Sequence, residues 1–477
     1  MLLKRIGLFL GPLVLLIVLL LPAPGGLEPK AWRVIAMGAF MLVWWVTEAV
    51  PLPVTALLPM VLLPLLGIGS MKAATAPYSN PIVFLFMGGF MIAIAMERWN
   101  LHRRIALNIV RITGTNANRI VLGFFLATAS LSMWISNTAT TVMMLPIAAS
   151  VIDLLTKGES DYSPKQVRNF ALTLMLGIAY SANIGGTATI IGTPPTVVFV
   201  GFMKDTYGVD VSFAKWMVLG LPFAAIMIAL TYWVLVKLLY PNGMGKFEHA
   251  QQLIKTELHE LGEMTIGEKR ILAIFIGTAL AWILRQPLDD LFPNIAISDT
   301  LIAMLATILL FVVPVNYTSG EFVLSWKDTH RLPWGILLLF GGGLSLAAAL
   351  ENVGIIGLVG AQFEAATASS FLILLGLTTV SLFLTEIMSN LALVVVFLPV
   401  VGGIAVGLDI PPILYGIPVT LAASCAFMLP MSTPPNAIVF ASGHLSIPQM
   451  MKAGIVLNFM AILLIALIAK FLLPLLF

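Results

Sequence analysis

Apolar residues run along this chain in blocks of helix length. Nine blocks are continuous enough to be predicted as membrane-crossing helices: 6–21, 31–50, 54–66, 81–96, 215–239, 271–284, 301–313, 333–350 and 451–473. Pro51 and Pro53 predict a corner before the third, because proline removes a donor and disfavours helix in the preceding residue. Four other stretches break the pattern. Polar residues gather midway along 120–152 (Ser130, Ser132, Ser136, Asn137, Thr138, Thr140 and Thr141), and Ser389-Asn390-Leu391 is a weaker echo within 370–406. The runs 170–200 and 413–440 are cut by Gly192-Thr193-Pro194-Pro195 and Ser432-Thr433-Pro434-Pro435. Paired prolines cannot continue a helical ladder without freeing carbonyls.

A polar cluster halfway along an apolar segment predicts a helical hairpin that enters and leaves on one side, its tip at Ser136-Asn137-Thr138 or at Ser389-Asn390. The other reading is a straight helix whose hydroxyls bond back to its own carbonyls. Irregular backbone at membrane depth is tolerated where it faces protein or a cavity, and matched breaks in two halves point to an inverted repeat. The layout is a leading helix in 1–30, a first repeat in 31–241, a polar linker in 242–269 and a second repeat in 270–477. Gly88-Gly89 and Gly341-Gly342-Gly343 occupy corresponding positions, as do Glu97 and Glu351 beyond them. With neither hairpin crossing, eleven spans remain, one leading and five per half. An odd number per half sets the halves in opposite orientations.

Charge sharpens this picture. The chain is 60% hydrophobic and 10% charged, far below the roughly 25% charged composition of soluble domains. Helix-length runs exclude the ten-residue alternation of an outer-membrane barrel. A net charge of +3, borne mostly by loops, gives no support to nucleic-acid binding. Eighteen of the 25 lysines and arginines fall on one face of the eleven-span layout, which predicts a cytoplasmic N terminus and a C terminus outside. Residues 98–119 are the densest basic segment and read as an interfacial helix, with a site for anionic substrate as the alternative. The first apolar run imitates a secretory signal but is expected to stay as a helix, since membrane spans follow it. Cys425, the lone cysteine, reads as a small core residue.

Several motifs together are specific. Trp45-Val46-Thr47-Glu48-Ala49-Val50-Pro51-Leu52-Pro53, Met133 to Thr140, Gly192-Thr193-Pro194-Pro195, Thr385-Glu386, Ser389-Asn390 and Thr433-Pro434-Pro435-Asn436-Ala437 resemble the divalent anion:sodium symporter family, which includes INDY-like sodium-coupled dicarboxylate transporters. The resemblance spans nearly the whole chain. It implies an all-α polytopic membrane protein, an inverted-repeat elevator-type transporter with 11 transmembrane helices and two re-entrant hairpins, working as a homodimer in a bacterial plasma membrane among its lipids. It further implies symport of sodium with C4-dicarboxylates such as succinate or malate, with sodium-independent exchange and sulfate transport as the alternatives. Asn137, Thr138, Thr193, Asn390, Thr433 and Pro434 would contact substrate. Of about two Na+ sites, one would use Ser132, Ser136, Asn137 and Gly192, and the other Thr385, Met388, Asn390 and Ser432.

Elementary chemistry agrees with that assignment. Hydroxyl, amide and carbonyl oxygens suit a hard cation, and helix N-termini with bound cations can hold a dianion without a buried arginine. Leu391 departs from the threonine that many family members carry there and can donate nothing to a carboxylate. Glu48, Glu97, Glu351 and Glu386 read as helix-end anchors or partners of nearby charge rather than proton sites. Trp44, Trp45 and Trp134 read as packing or interface aromatics. A channel or an enzyme has less support, since no nucleophile and base share a depth.

Overall fold

The computed structural model describes residues 2–25, 27–157, 162–245, 248–363 and 369–477. Gly26 at the first expected corner, 158–161 in the loop before the first broken helix and 246–247 of the linker lie outside the described residues. Among the described residues, six helices are long and apolar enough to cross a membrane: Met71–Arg98, Asn137–Leu155, Phe213–Leu239, Trp334–Asn352, Asn390–Gly407 and Ile447–Phe471. Ile266–Ile283 and Arg285–Leu291, bent by 74°, make a seventh if taken as one span.

Two expectations need correction. The predicted span 54–66 comes out as two short helices, Leu52–Thr55 and Leu58–Leu65, because its prolines restart the helix instead of only bounding it. The all-helical expectation also fails locally. Pro314–Asn316 and Glu321–Phe322 pair as an antiparallel ribbon around a turn in which Asn316 Oδ1 accepts from Thr318 N at 2.9 Å and Gly320 takes φ +66. Strands this short leave no alternation to read.

The glycine clusters mark close helix contacts. A Cβ on Gly88 would lie 2.8 Å from that of Ala303, and one on Gly342 would lie 2.3 Å from the Ala56 carbonyl oxygen. No side chain fits at either point.

Each polar cluster sits at a reversal of the chain. Ala117–Ser132 and Asn137–Lys157 are separated by four residues, and both arms pack along Pro164–Gly186. Laid end to end, the two arms would span about 55 Å, against about 35 Å for the helix they share. Ala117 N bonds Gly245 O and Asn118 bonds Asn242, while Gln166 and Asn169 bond Gly243 O and Pro241 O. The start of the first arm and the start of the shared helix therefore lie at one end, and Lys157 is only seven residues from Pro164. The second half repeats this design with Ser370–Leu384, Asn390–Gly407 and the helix Pro412–Ala423. Ser132 Oγ donates to Ala182 O at 2.8 Å, and Thr385 Oγ1 donates to Ala423 O at 2.8 Å, so the two first arms are fastened in the same way. The second arm of each pair is long enough to cross a bilayer and yet doubles back.

Polar contacts at the helix ends fall into two sets. Lys4 pairs with Glu48, Arg98 with Asp328 and Glu321, Arg331 with Glu97, Arg103 with Glu257, and Arg104 with Glu268. Arg285 pairs with Asp210 and Asp299, Lys204 with Asp210, and the ammonium groups of Lys215 and Lys470 lie over the rings of Phe477 and Phe371. The basic helix Leu101–Thr113 buries Leu101, Ala106, Leu107 and Val110, and two of its arginines are already matched by carboxylates. Arg103 and Arg104 are thus each engaged by a carboxylate, as an interfacial helix anchored to the linker would be.

Both shared helices stop at a non-helical segment, and the chain restarts at Pro194–Tyr207 and Pro434–Ala441. The paired prolines occupy the first turn of each new helix, where their missing N–H would have no partner anyway. The second break, 424–433, is fastened by side chains from several elements. Buried Glu386 accepts from Phe427 N, Met428 N and Leu429 N at 2.9–3.2 Å and from Asn458 Nδ2 at 2.8 Å. Tyr180 Oη donates to Phe427 O at 2.8 Å, and Asn436 Nδ2 donates to Ala426 O and Leu429 O. Glu386 thus serves as an internal anchor. Glu386→Leu would leave one buried and two half-buried amides without an acceptor, at up to about 1–3 kcal/mol each. Thermal unfolding in detergent should drop by many degrees, with partial recovery in Glu386→Gln; a leucine variant as stable as the parent would contradict this role.

Candidate functional site

The two tips and the two restarts meet at one cavity of about 360 Å³, toward the lower end of the ~300–1,000 Å³ typical of small-molecule sites. Ser136, Asn137, Thr138, Thr193 and Pro194 of the first half and Ser389, Asn390, Thr433 and Pro434 of the second together supply its polar wall. Leu52, Pro53, Phe86, Phe90, Ile336 and Leu339 form an apolar wall opposite in character. Among the described residues, no Lys, Arg, His, Asp or Glu lines it. Four helices, Asn137–Lys157, Pro194–Tyr207, Asn390–Gly407 and Pro434–Ala441, begin at this cavity and turn their positive ends toward it. Free N–H groups and aligned dipoles at such ends favour an anion.

Behind the first tip is a cluster made only of oxygen donors. The Asn137 amide end lies 2.6 Å from Ser132 Oγ, and turned so that its nitrogen faces inward it reaches Ala182 O at 3.1 Å and Gly192 O at 3.2 Å. Several acceptors converging on one point call for a positive group there, either an amide N–H or a cation. Hydroxyl, amide and main-chain oxygens without thiolate or imidazole fit a hard cation such as sodium. Of the residues expected for this ion, Ser132, Asn137 and Gly192 come together. Ser136 is on the cavity wall, where its hydroxyl accepts from Ala139 N at 3.2 Å.

The second tip is arranged differently. Met388, Asn390, Ser432 and Thr433 share an adjoining cavity of about 520 Å³ with Lys4 and Glu48. Thr385 is fully buried behind the tip, its hydroxyl given to Ala423 O. The oxygens of Ala426, Leu429 and Ser432 surround the Asn436 amide nitrogen at 3.0–3.1 Å. Leu391 lines the central cavity and is 5% exposed. Another adjoining cavity, of about 530 Å³, runs from Ser136 and Thr138 to Glu97, His102 and Arg331.

Sequence reasoning gave Asn183 and Asn436 no role. Asn183 lines the cavity from the first half, and its Nδ2 donates to Thr433 Oγ1 at 3.0 Å and Asn436 Oδ1 at 3.3 Å in the second. An amide within the apolar part of the helix, four residues before its break, was the available signal. Trp134 packs edge-on against Phe275 and Trp45 is fully buried, so both serve packing.

The comparisons with known proteins bear on this geometry. Residues 3–477 match the family model described as sodium:sulfate symporter transmembrane region. A protein of Staphylococcus saprophyticus named sodium-dependent dicarboxylate transporter SdcS is 40% identical over 475 residues, covering 99% of this chain and 92% of that protein. A protein of the same name from Staphylococcus aureus is 39% identical, covering 99% and 91%. Among solved structures, the Alcanivorax borkumensis YdaH transporter aligns with a TM-score of 0.57 at 14% identity, covering 92% of this chain and 99% of the other. Neisseria gonorrhoeae MtrF aligns with a TM-score of 0.52 at 13% identity, covering 96% and 97%. At that distance the likeness shows fold alone. A whole-length family match and relatives near 40% identity show more: the chain is a transporter and not an enzyme, a multi-pass membrane protein that belongs to the sodium:sulfate symporter family.

Proposed function

We propose that this protein couples sodium to the symport of C4-dicarboxylates such as succinate or malate. One observation carries the reading: an uncharged cavity at four helix N-termini adjoins a cluster of oxygen donors. The helix ends and the Asn137, Thr138, Thr193, Asn390 and Thr433 side chains hold the carboxylates. A cation among Ser132, Asn137, Ala182 O and Gly192 O supplies the missing positive charge, and a second cation binds near Met388, Asn390 and Ser432. The relatives' name, sodium-dependent dicarboxylate transporter, supports this reading. The apolar wall favours a carbon spacer between anionic ends over sulfate, which presents oxygens on every side.

Eleven spans follow if the two hairpins are re-entrant, entering from opposite sides as halves of an inverted repeat. The hairpins and broken helices then form a transport unit that moves elevator-fashion against a scaffold carrying the apolar wall, within a homodimer embedded in plasma-membrane lipid. The face bearing Lys4, Arg98 and Arg331 is the cytoplasmic one, on the excess of basic residues there. Both adjoining cavities reach residues of that face, which describes a site open to the cytoplasm.

Labelled-succinate uptake into proteoliposomes tests the reading, with malate, citrate and sulfate as competitors. Asn137→Ala and Asn390→Ala should each bring sodium-dependent accumulation down to background; normal accumulation in either would remove the two-tip model. Leu391→Thr adds a donor on the cavity wall and should change the succinate concentration for half-maximal uptake severalfold. Unchanged uptake across the acid panel would show that position 391 does not meet substrate.

A further inference from the structure

Thr433 presents a hydroxyl whose polarity is already decided by its neighbours. A hydroxyl has one donor hydrogen and two acceptor lone pairs. Asn183 Nδ2 donates to Thr433 Oγ1 at 3.0 Å, and Asn436 N donates to it at 3.4 Å. Both acceptor positions are occupied, and no acceptor for its own O–H is found among the described residues. Thr433 lines the central cavity, so the remaining hydrogen faces whatever binds there. At the same time Asn183 Nδ2 approaches Asn436 Oδ1 at 3.3 Å, which fixes the orientation of that amide and turns its nitrogen toward Ala426 O, Leu429 O and Ser432 Oγ.

The matching position in the first half lacks this device. Thr193 heads its helix in the same extended conformation but makes no side-chain capping bond, whereas Thr433 caps through Asn436 N. In the alignment set by Ser132 with Thr385 and Ala182 with Ala423, the counterpart of Asn183 is Ser424, whose hydroxyl bonds Thr420 O within its own helix. The bridge between halves is therefore one-sided. It stands on the wall of the same cavity that Leu391 lines without a donor to offer.

We propose that Asn183 is a positioning residue for the anion: by donating to Thr433 it commits the threonine hydroxyl to donate to the second carboxylate of a dicarboxylate, in place of the donor absent at Leu391. Resting on the dicarboxylate reading above, it adds a specificity determinant outside the tips and breaks. Asn183→Asp presents an acceptor where the amide was, reverses the hydroxyl and sets a negative charge behind it. Asn183→Leu removes the donor at similar volume.

The test is sodium-driven uptake of succinate, with half-saturation compared for succinate and for its monoamide as competitor. Both Asn183 variants should weaken succinate by about tenfold or more while changing the monoamide, bound with its amide at this end, by much less. Thr433→Val should do the same, and the Asn183→Leu/Thr433→Val pair should be no worse than Thr433→Val alone. Equal weakening of both compounds, or additive losses in the pair, would overturn the proposal by showing a general packing role. If the leucine variant yields no monodisperse protein, the near-isosteric aspartate variant decides alone: wild-type selectivity in it contradicts the proposal. Absence of succinate uptake by the unaltered protein would instead overturn the dicarboxylate reading and this inference with it.

Discussion

On the function proposed above, a multiply charged anion must be held at membrane depth by a cavity that no charged side chain lines among the described residues, and the architecture answers that constraint. A buried arginine would be costly whenever the site stood empty. Helix N-termini provide partial positive charge without a formal one, and they can be brought to mid-depth only by breaking or reversing helices. The chain does this four times around one cavity. The C-terminal end of the shared helix Pro164–Gly186 and the break after it expose carbonyls, and near the first tip those of Ala182 and Gly192 converge with Ser132 and Asn137 on one point. Anion-favouring and cation-favouring groups thus arise from one backbone manoeuvre.

Broken backbone brings its own requirement, since every freed N–H and C=O needs a partner away from water. The second break meets it with Glu386, Asn458, Tyr180 and Asn436, drawn from four separate helices or turns. These residues make the break rigid, and rigidity matters because a preorganised donor set loses little on binding. The first break is closed more simply, with Trp216 on Thr187 O and Thr189 linking Met133 O to Gly192 N. The two halves share a plan and differ in how each is fastened.

Much of this was legible in the chain. Ser136-Asn137-Thr138 inside an apolar run, and Thr-Pro-Pro some tens of residues later, located both reversals and both restarts to within a few residues, because proline and clustered hydroxyls act locally on the helix. What escaped depends on contacts across long sequence separations. Glu386 reads locally as a helix-end acid, and only the fold brings it under the amides of 427–429. Asn183 and Thr433 are 250 residues apart, so no spacing rule joins them. The ribbon at 314–322 was too short for periodicity to register.

The central claim is that bound cations supply the charge an uncharged anion site lacks. Equilibrium binding of labelled succinate to the purified protein, measured in sodium and with sodium replaced by choline, tests it most directly. Saturable binding in sodium that vanishes in choline is the predicted result. Equal affinity in both would contradict the account, since the cavity's own dipoles and hydroxyls would then suffice to hold the dianion.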